Sequence, residues 1–255
     1  MKYIFFIIIF ILLIVFLFSF SEKFTNNTSS ASADDIYFLS KEETQEFISK
    51  DEDNYIKNMS IYDLRARKVK STNEYISNII NNGCLDFNEE QKEKLKKCSI
   101  KAKEFFDNKS KWIFACVNNT YEEGYPHTRS NIIFISPIII SYNDTELTKI
   151  LIHESIHIYQ RYNYSVVHDY LNKNGYSILR KKEKNSLVRA NPDLNDFIYT
   201  DKNGVEMVAY YKNEHPTSIN DIVLTNSANE HPYEKMAYEF ADNYYKSLLV
   251  KYKEV

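Results

Sequence analysis

Hydrophobic and polar positions divide the chain into three unlike stretches. Residues 3–20 are apolar except for Ser19, a run of 18 residues that reaches the lower range of a transmembrane helix. Residues 21–35 are small and polar with no period, which predicts a flexible stalk. From 36 to 255 apolar positions recur at helical and strand spacings, and this length suffices for one domain with a sizeable core. Within it, Ser40 followed by Glu43 offers a capping box for a short helix. Residues 55–80 suggest one or two helices, and 88–106 a longer one with acidic residues in its first turn. Residues 111–117 read as a buried strand and 122–129 as a turn. Residues 131–141 read as a second strand, which Pro137 demotes to a sheet edge or splits in two. Leu147, Ile150, Leu151 and Ile158 give 147–160 one apolar face, with Thr145 or Asn143 as its cap. Residues 166–173 look helical and end at Asn174-Gly175. Short strands follow around an Asn203-Gly204 turn, and 232–251 form a terminal helix with Pro232 at its first position. Helices around a short, mainly antiparallel sheet predict an α+β domain over 36–255.

Charge narrows the possible partners. The 32 basic and 35 acidic residues leave a net charge of -3, so electrostatic capture of nucleic acid is not expected. Lys2 and the amino terminus place positive charge ahead of the apolar run. This favours a single-pass anchor (residues 1–20) with the remainder extracellular or lumenal. A cleaved signal peptide ending near Ser19 or Ser21 is the competing reading, and it would make the domain secreted. Cys84, Cys98 and Cys116 show no C-x-x-C spacing. One Cys84–Cys98 disulfide and three free buried thiols both remain open.

The chemistry concentrates in His153-Glu154-Ser155-Ile156-His157. Histidines four apart on a helix point the same way and can reach one metal ion, and Glu154 follows the first of them directly. A catalytic zinc needs a third protein ligand and a fourth position for water. The C-terminal helix can supply that ligand through Glu234, with Ala237 and Ala241 on the same face permitting close helix approach. Glu230 is the rival, placed outside the helix by Pro232. His231, Glu239 and Asp242 are lesser candidates.

On His153 to His157 and on the segment EKMAYEFA starting at Glu234, the chain resembles the zincin metallopeptidases, specifically gluzincin-like members with His, His and Glu ligands. It is also similar to a poorly characterised HExxH group carrying G-x-P-H-T-R, N-P-D and H-P-x-E-x-x-A segments. Here these are Gly124 to Arg129, Asn191 to Asp193 and His231 to Ala237. About 75 residues separate His157 from Glu234, so an inserted lobe containing RANPDLN must fill the gap. The resemblance implies a zincin-like fold, one zinc per chain on His153, His157 and Glu234, and peptide or protein substrates hydrolysed by metal-activated water with Glu154 as general base. It also implies that 131–135 edges the cleft as a peptide-pairing strand, with His127 and Arg129 placed to stabilise an oxyanion. An ordinary turn residue is the plainer reading of His127. Gln160 could hydrogen-bond near a ligand, Arg189 and Asp193 would clamp their loop by pairing, and His168 and His215 read as surface residues. The alternative to a peptidase is a non-catalytic, membrane-anchored surface protein with a structural or degenerate metal site.

Overall fold

The computed structural model describes residues 35–107, 109–225 and 229–251. The expected anchor, and all of the stalk but Asp35, lie outside these residues. Among the described residues no helix is long and apolar enough to cross a membrane.

The centre of the molecule is a mixed sheet built on β3 (Trp112–Val117). It runs in the order β1 (Ile36–Phe38), β3, β5 (Ile132–Ile135), β4 (His127–Arg129), with β2 (Cys84–Leu85) also on β3. β1 and β5 pair with β3 in parallel, whereas β2 on β3 and β4 on β5 are antiparallel. The expectation of mainly antiparallel pairing therefore holds for the chain as a whole but not for this sheet. Alternate side chains of β3 and β5 enter two cores. Phe114, Cys116, Ile133 and Ile135 meet Leu95, Leu147, Leu151 and Ala241 on one face. Ala115, Val117, Ile132 and Phe134 meet Ile48, Tyr75 and Ile79 on the other. Both faces are buried, which is why these strands read as continuous apolar runs instead of alternating ones.

Helices cover both faces. α1 (Lys41–Lys50), α2 (Ile61–Ala66) and α3 (Thr72–Asn78) come first, then α4 (Glu89–Phe105). The expected capping box at Ser40 and Glu43 is present. The run at 131–141 breaks as Pro137 suggested, but into a strand and a helix: β5 stops at Ile135, and Pro137 opens the short α5 (Pro137–Ile140). Proline there leaves no helical amide unsatisfied, because N-terminal amides have no intrahelical partner. α6 (Asp144–Tyr162) is capped by Asn143, whose Oδ1 accepts from the Glu146 amide at 3.0 Å, and not by Thr145. α7 (Tyr164–Asn174) ends on Gly175 at φ 73°, a left-handed position where glycine avoids a Cβ clash. A small sheet of β6 (Ser177–Lys181), β7 (Phe197–Thr200) and β8 (Glu206–Met207) follows. Then come β9 (Ala209–Tyr211) paired antiparallel with β10 (Ile222–Leu224), and α8 (Pro232–Lys251).

Two corrections concern the segment before α6. Residues 127–129, expected in a turn, form β4, and β4 rather than β5 is the sheet edge. Buried charges brace the approach to it. Arg67 pairs with Glu122, which also accepts from the Tyr75 hydroxyl at 3.0 Å. Arg129 is spent on Asp51, Asp53 and the Tyr121 hydroxyl, so it offers nothing to an oxyanion. Glu122 and Glu123 adopt φ of 45° and 53°, a strained region for non-glycine residues that these contacts hold in place. The three cysteines are free and buried.

Candidate metal centre

α6 and α8 pack against each other through small and apolar side chains, with Ala237 against Ile156 and Ala241 in the main core. That closeness brings His153, His157 and Glu234 together, their ligand atoms all within 4.8 Å of one another. The Nε2 atoms of the two histidines lie 3.1 Å apart. Glu234 Oε2 stands 3.3 Å from His153 Nε2 and 3.7 Å from His157 Nε2. Ligands at tetrahedral angles around zinc, with bonds of about 2.0–2.1 Å, would be separated by about 3.3–3.4 Å. The three observed separations bracket that value, and two nitrogens with one carboxylate oxygen form a common catalytic zinc set. The residues fit the ion.

Two of the three are held from behind, His157 by Gln160 and Glu234 by Asn191. Gln160 Oε1 lies 3.0 Å from His157 Nδ1, and Gln160 Nε2 donates to the Tyr233 carbonyl at 2.9 Å. Because the Gln160 amide group already donates to Tyr233, its oxygen must accept. In its neutral form His157 thereby keeps its proton on Nδ1 and a lone pair on Nε2. Asn191 Nδ2 donates to Glu234 Oε1 at 3.0 Å, leaving Oε2 for the histidines. The same amide reaches Glu230 Oε1 at 2.7 Å, and Glu230 is also paired with Arg189. Glu230 is thus taken up as a brace and lies outside the grouping of His153, His157 and Glu234. The expected Arg189–Asp193 clamp does not form. Asp193 Oδ1 instead accepts from the Thr128 amide at 2.7 Å and the Thr128 hydroxyl at 2.6 Å, with Arg161 at 3.7 Å.

Electrostatics favour a cation here. Burial alone would push the His157 pKa down, yet Asp193 and Glu234 together raise it to about 9. Burial opposes ionisation of Glu234 too, but His157 and His153 hold its pKa well below the usual carboxylate range. Glu154 is buried, and Oε2 has no hydrogen-bond partner among the described residues. Burial first, then the Asp193 charge, raise its pKa well above that range. An unpaired buried carboxylate oxygen is costly, on the order of 1–3 kcal/mol or more, and such a group commonly marks a functional position.

His127 lines the same cleft, about 580 Å³ in volume, as His153, Glu154 and Glu234. Its ring stacks on Phe134, centroids 5.0 Å apart and planes 2° from parallel. Nδ1 sits 2.9 Å from the Tyr125 carbonyl, while the buried Nε2 has no partner among the described residues. A carbonyl only accepts, so Nδ1 carries the proton and Nε2 of the neutral ring is an acceptor. Burial lowers the pKa of His127, opposing the protonated form that could donate to an oxyanion. Tyr238, one turn beyond Glu234, was not singled out in the sequence. Its ring lies 4.5 Å from that of His153, and it lines the cleft with its side chain half exposed.

The remaining candidates sit elsewhere. His231 Nδ1 accepts from the Tyr233 amide, and its Nε2 faces Asn195. Glu239 pairs with Lys235 and accepts from Tyr170, while Asp242 pairs with Lys149. His168 contacts Asn172 on the surface, and the His215 amide donates to Asn213. No family model matches the chain, and neither a curated protein nor a solved structure does.

Proposed function

We propose that the chain is a zinc-dependent peptidase of zincin-like construction, binding one zinc through His153, His157 and Glu234. The observation that carries the reading is the convergence of these three donors, at tetrahedral spacing, beside Glu154, whose Oε2 has no hydrogen-bond partner among the described residues. Held by His153, His157 and Glu234, zinc would supply a Lewis acid and bring the pKa of a bound water towards neutrality. With a dication beside it to counter the burial and the Asp193 charge that raise its pKa, Glu154 Oε2 would take a proton from the attacking water and return it to the leaving amine. The Tyr238 hydroxyl donates a hydrogen bond to the developing oxyanion. His127 Nε2 accepts from an amide of the substrate or from the leaving amine. Among the described residues the cluster offers three ligand side chains, which supports a site open to solvent over a closed structural one. The apolar run at 3–20 supports a membrane-tethered enzyme acting outside the cytosol.

The test uses the full chain, purified in detergent. Elemental analysis should find close to one zinc per chain, lost when His153→Ala and His157→Ala are combined. Hydrolysis of a self-quenched, unfolded casein should stop on chelation and return with zinc. Glu154→Gln should keep the metal and lose on the order of 10²–10⁴ in rate. Full activity in Glu154→Gln would refute the assigned base.

A further inference from the structure

Resting on that reading, we infer that β10, not a strand of the central sheet, is the edge on which an extended peptide substrate pairs. β4, the central-sheet edge beside α6, is closed. Thr128 is its middle residue, and its outward amide donates to Asp193 while its carbonyl accepts from Arg161 Nη2 at 2.9 Å. A three-residue strand has only that outward pair to offer, and both groups are taken.

β10 is open. Its register with β9 aligns Ile222 with Tyr211, Val223 with Tyr210 and Leu224 with Ala209. The Lys212 amide donates to the Asp221 carbonyl at 2.9 Å, and the Thr225 amide donates to the Val208 carbonyl at 3.1 Å. Antiparallel ladders alternate, so residues 221, 223 and 225 face β9 while the amides and carbonyls of Ile222 and Leu224 point away from it. Among the described residues nothing bonds these outward groups. Ile222 and Leu224 both line the cleft that holds His153 and Glu234. The strand is also anchored to the opposite wall. Glu123 accepts from the Ile219 amide at 3.2 Å and from the Ser218 hydroxyl at 2.9 Å, and Asn220 bonds the Tyr125 hydroxyl. An extended chain laid against β10 gains two residues of ladder and an apolar surface, at a position continuous with the proposed metal.

The experiment separates this inference from the peptidase reading by measuring hydrolysis and backbone protection independently. Leu224→Pro removes the outward amide without touching the bonds to β9, and Leu224→Ala controls for the side chain. The proline variant should lose a further roughly three- to tenfold in kcat/KM on self-quenched casein, as expected for one hydrogen bond. In full-length Glu154→Gln, unlabelled unfolded casein should slow hydrogen exchange across 221–225. Intact hydrolysis with proline equal to alanine and no protection overturns the edge assignment and leaves the peptidase standing. Protection without hydrolysis or zinc does the reverse. Loss of both overturns both. Protection in the protein alone that rises with its concentration would assign β10 to a second copy of the chain and overturn the inference.

Discussion

Replacing Gln160 with methionine isolates the support behind the proposed metal ligands. The side chain is only 3 % exposed, and methionine nearly conserves its volume, so packing changes little. Two hydrogen bonds go, one of 3.0 Å to His157 Nδ1 and one of 2.9 Å to the Tyr233 carbonyl. A buried donor on His157 is left unpaired, at about 1–3 kcal/mol in folding stability, while the Tyr233 carbonyl loses its second partner and keeps its helical bond. The ring of His157 also loses the partner that keeps the proton on Nδ1. It can then place that proton on Nε2 and donate to Glu234, closing the face that should receive zinc. Removing a partner that orients a metal-bound histidine weakens binding about 10–100-fold. Gln160→Glu separates the two effects. Its carboxylate still accepts from His157, so zinc affinity should survive, while the lost bond to Tyr233 should still lower the melting temperature. Competition with a chromophoric chelator at fixed pH gives the affinities, and calorimetry gives the stabilities. Zinc affinity in folded Gln160→Met within about threefold of the parent, well short of the loss expected for such a partner, would refute the argument that this amide sets the tautomer.

Three further outcomes follow from the same geometry. Tyr238→Phe should lower kcat on the order of 10²–10³-fold with KM little changed if the phenol meets the oxyanion; a change confined to KM would assign Tyr238 to substrate binding instead. His231 is buried, and burial pushes its pKa down to about 3 from 6.5. Its contribution to stability is therefore complete above about pH 6.5 and declines as pH falls towards 3, a loss of about 2 kcal/mol between pH 7 and 5. Urea unfolding at the two pH values, with His231→Asn as control, checks this, and an unchanged pH slope in the variant would count against it. Burial raises the thiol pKa of Cys84 to about 11 and of Cys116 to about 12. An aromatic disulfide reagent at pH 8 should react with these thiols only as the protein unfolds, whereas fast labelling of the native state would contradict their burial.

What the sequence disclosed and what it concealed divide along a physical line. His153 and His157 were legible because one turn of helix is a local rule, and α8 because Pro232 and its apolar period are local too. Placing Glu234 with them already required two helices to meet, which small residues at 237 and 241 could suggest but not guarantee. The supporting groups had no local signature at all. Asn191 reaches Glu234 across 43 positions and Asp193 reaches Thr128 across 65, so neither bond leaves a period to read. β4 was missed for a related reason. His127, Thr128 and Arg129 are polar, and pattern reading assigns such a triplet to a turn, yet all three are buried because Tyr125, Asp193, Arg161, Asp51 and Asp53 supply their partners. Most polar groups that enter a core are satisfied there, often by a distant segment, as Thr128 and Arg129 are. The long polar stretch between His157 and Glu234, which looked like an obstacle to a compact metal site, contains the loop that makes burial of that site tolerable. Its Asn191 holds the proposed third ligand, and its Asp193 closes one sheet edge. If β10 is the substrate strand, the same insertion also replaces the edge it closes.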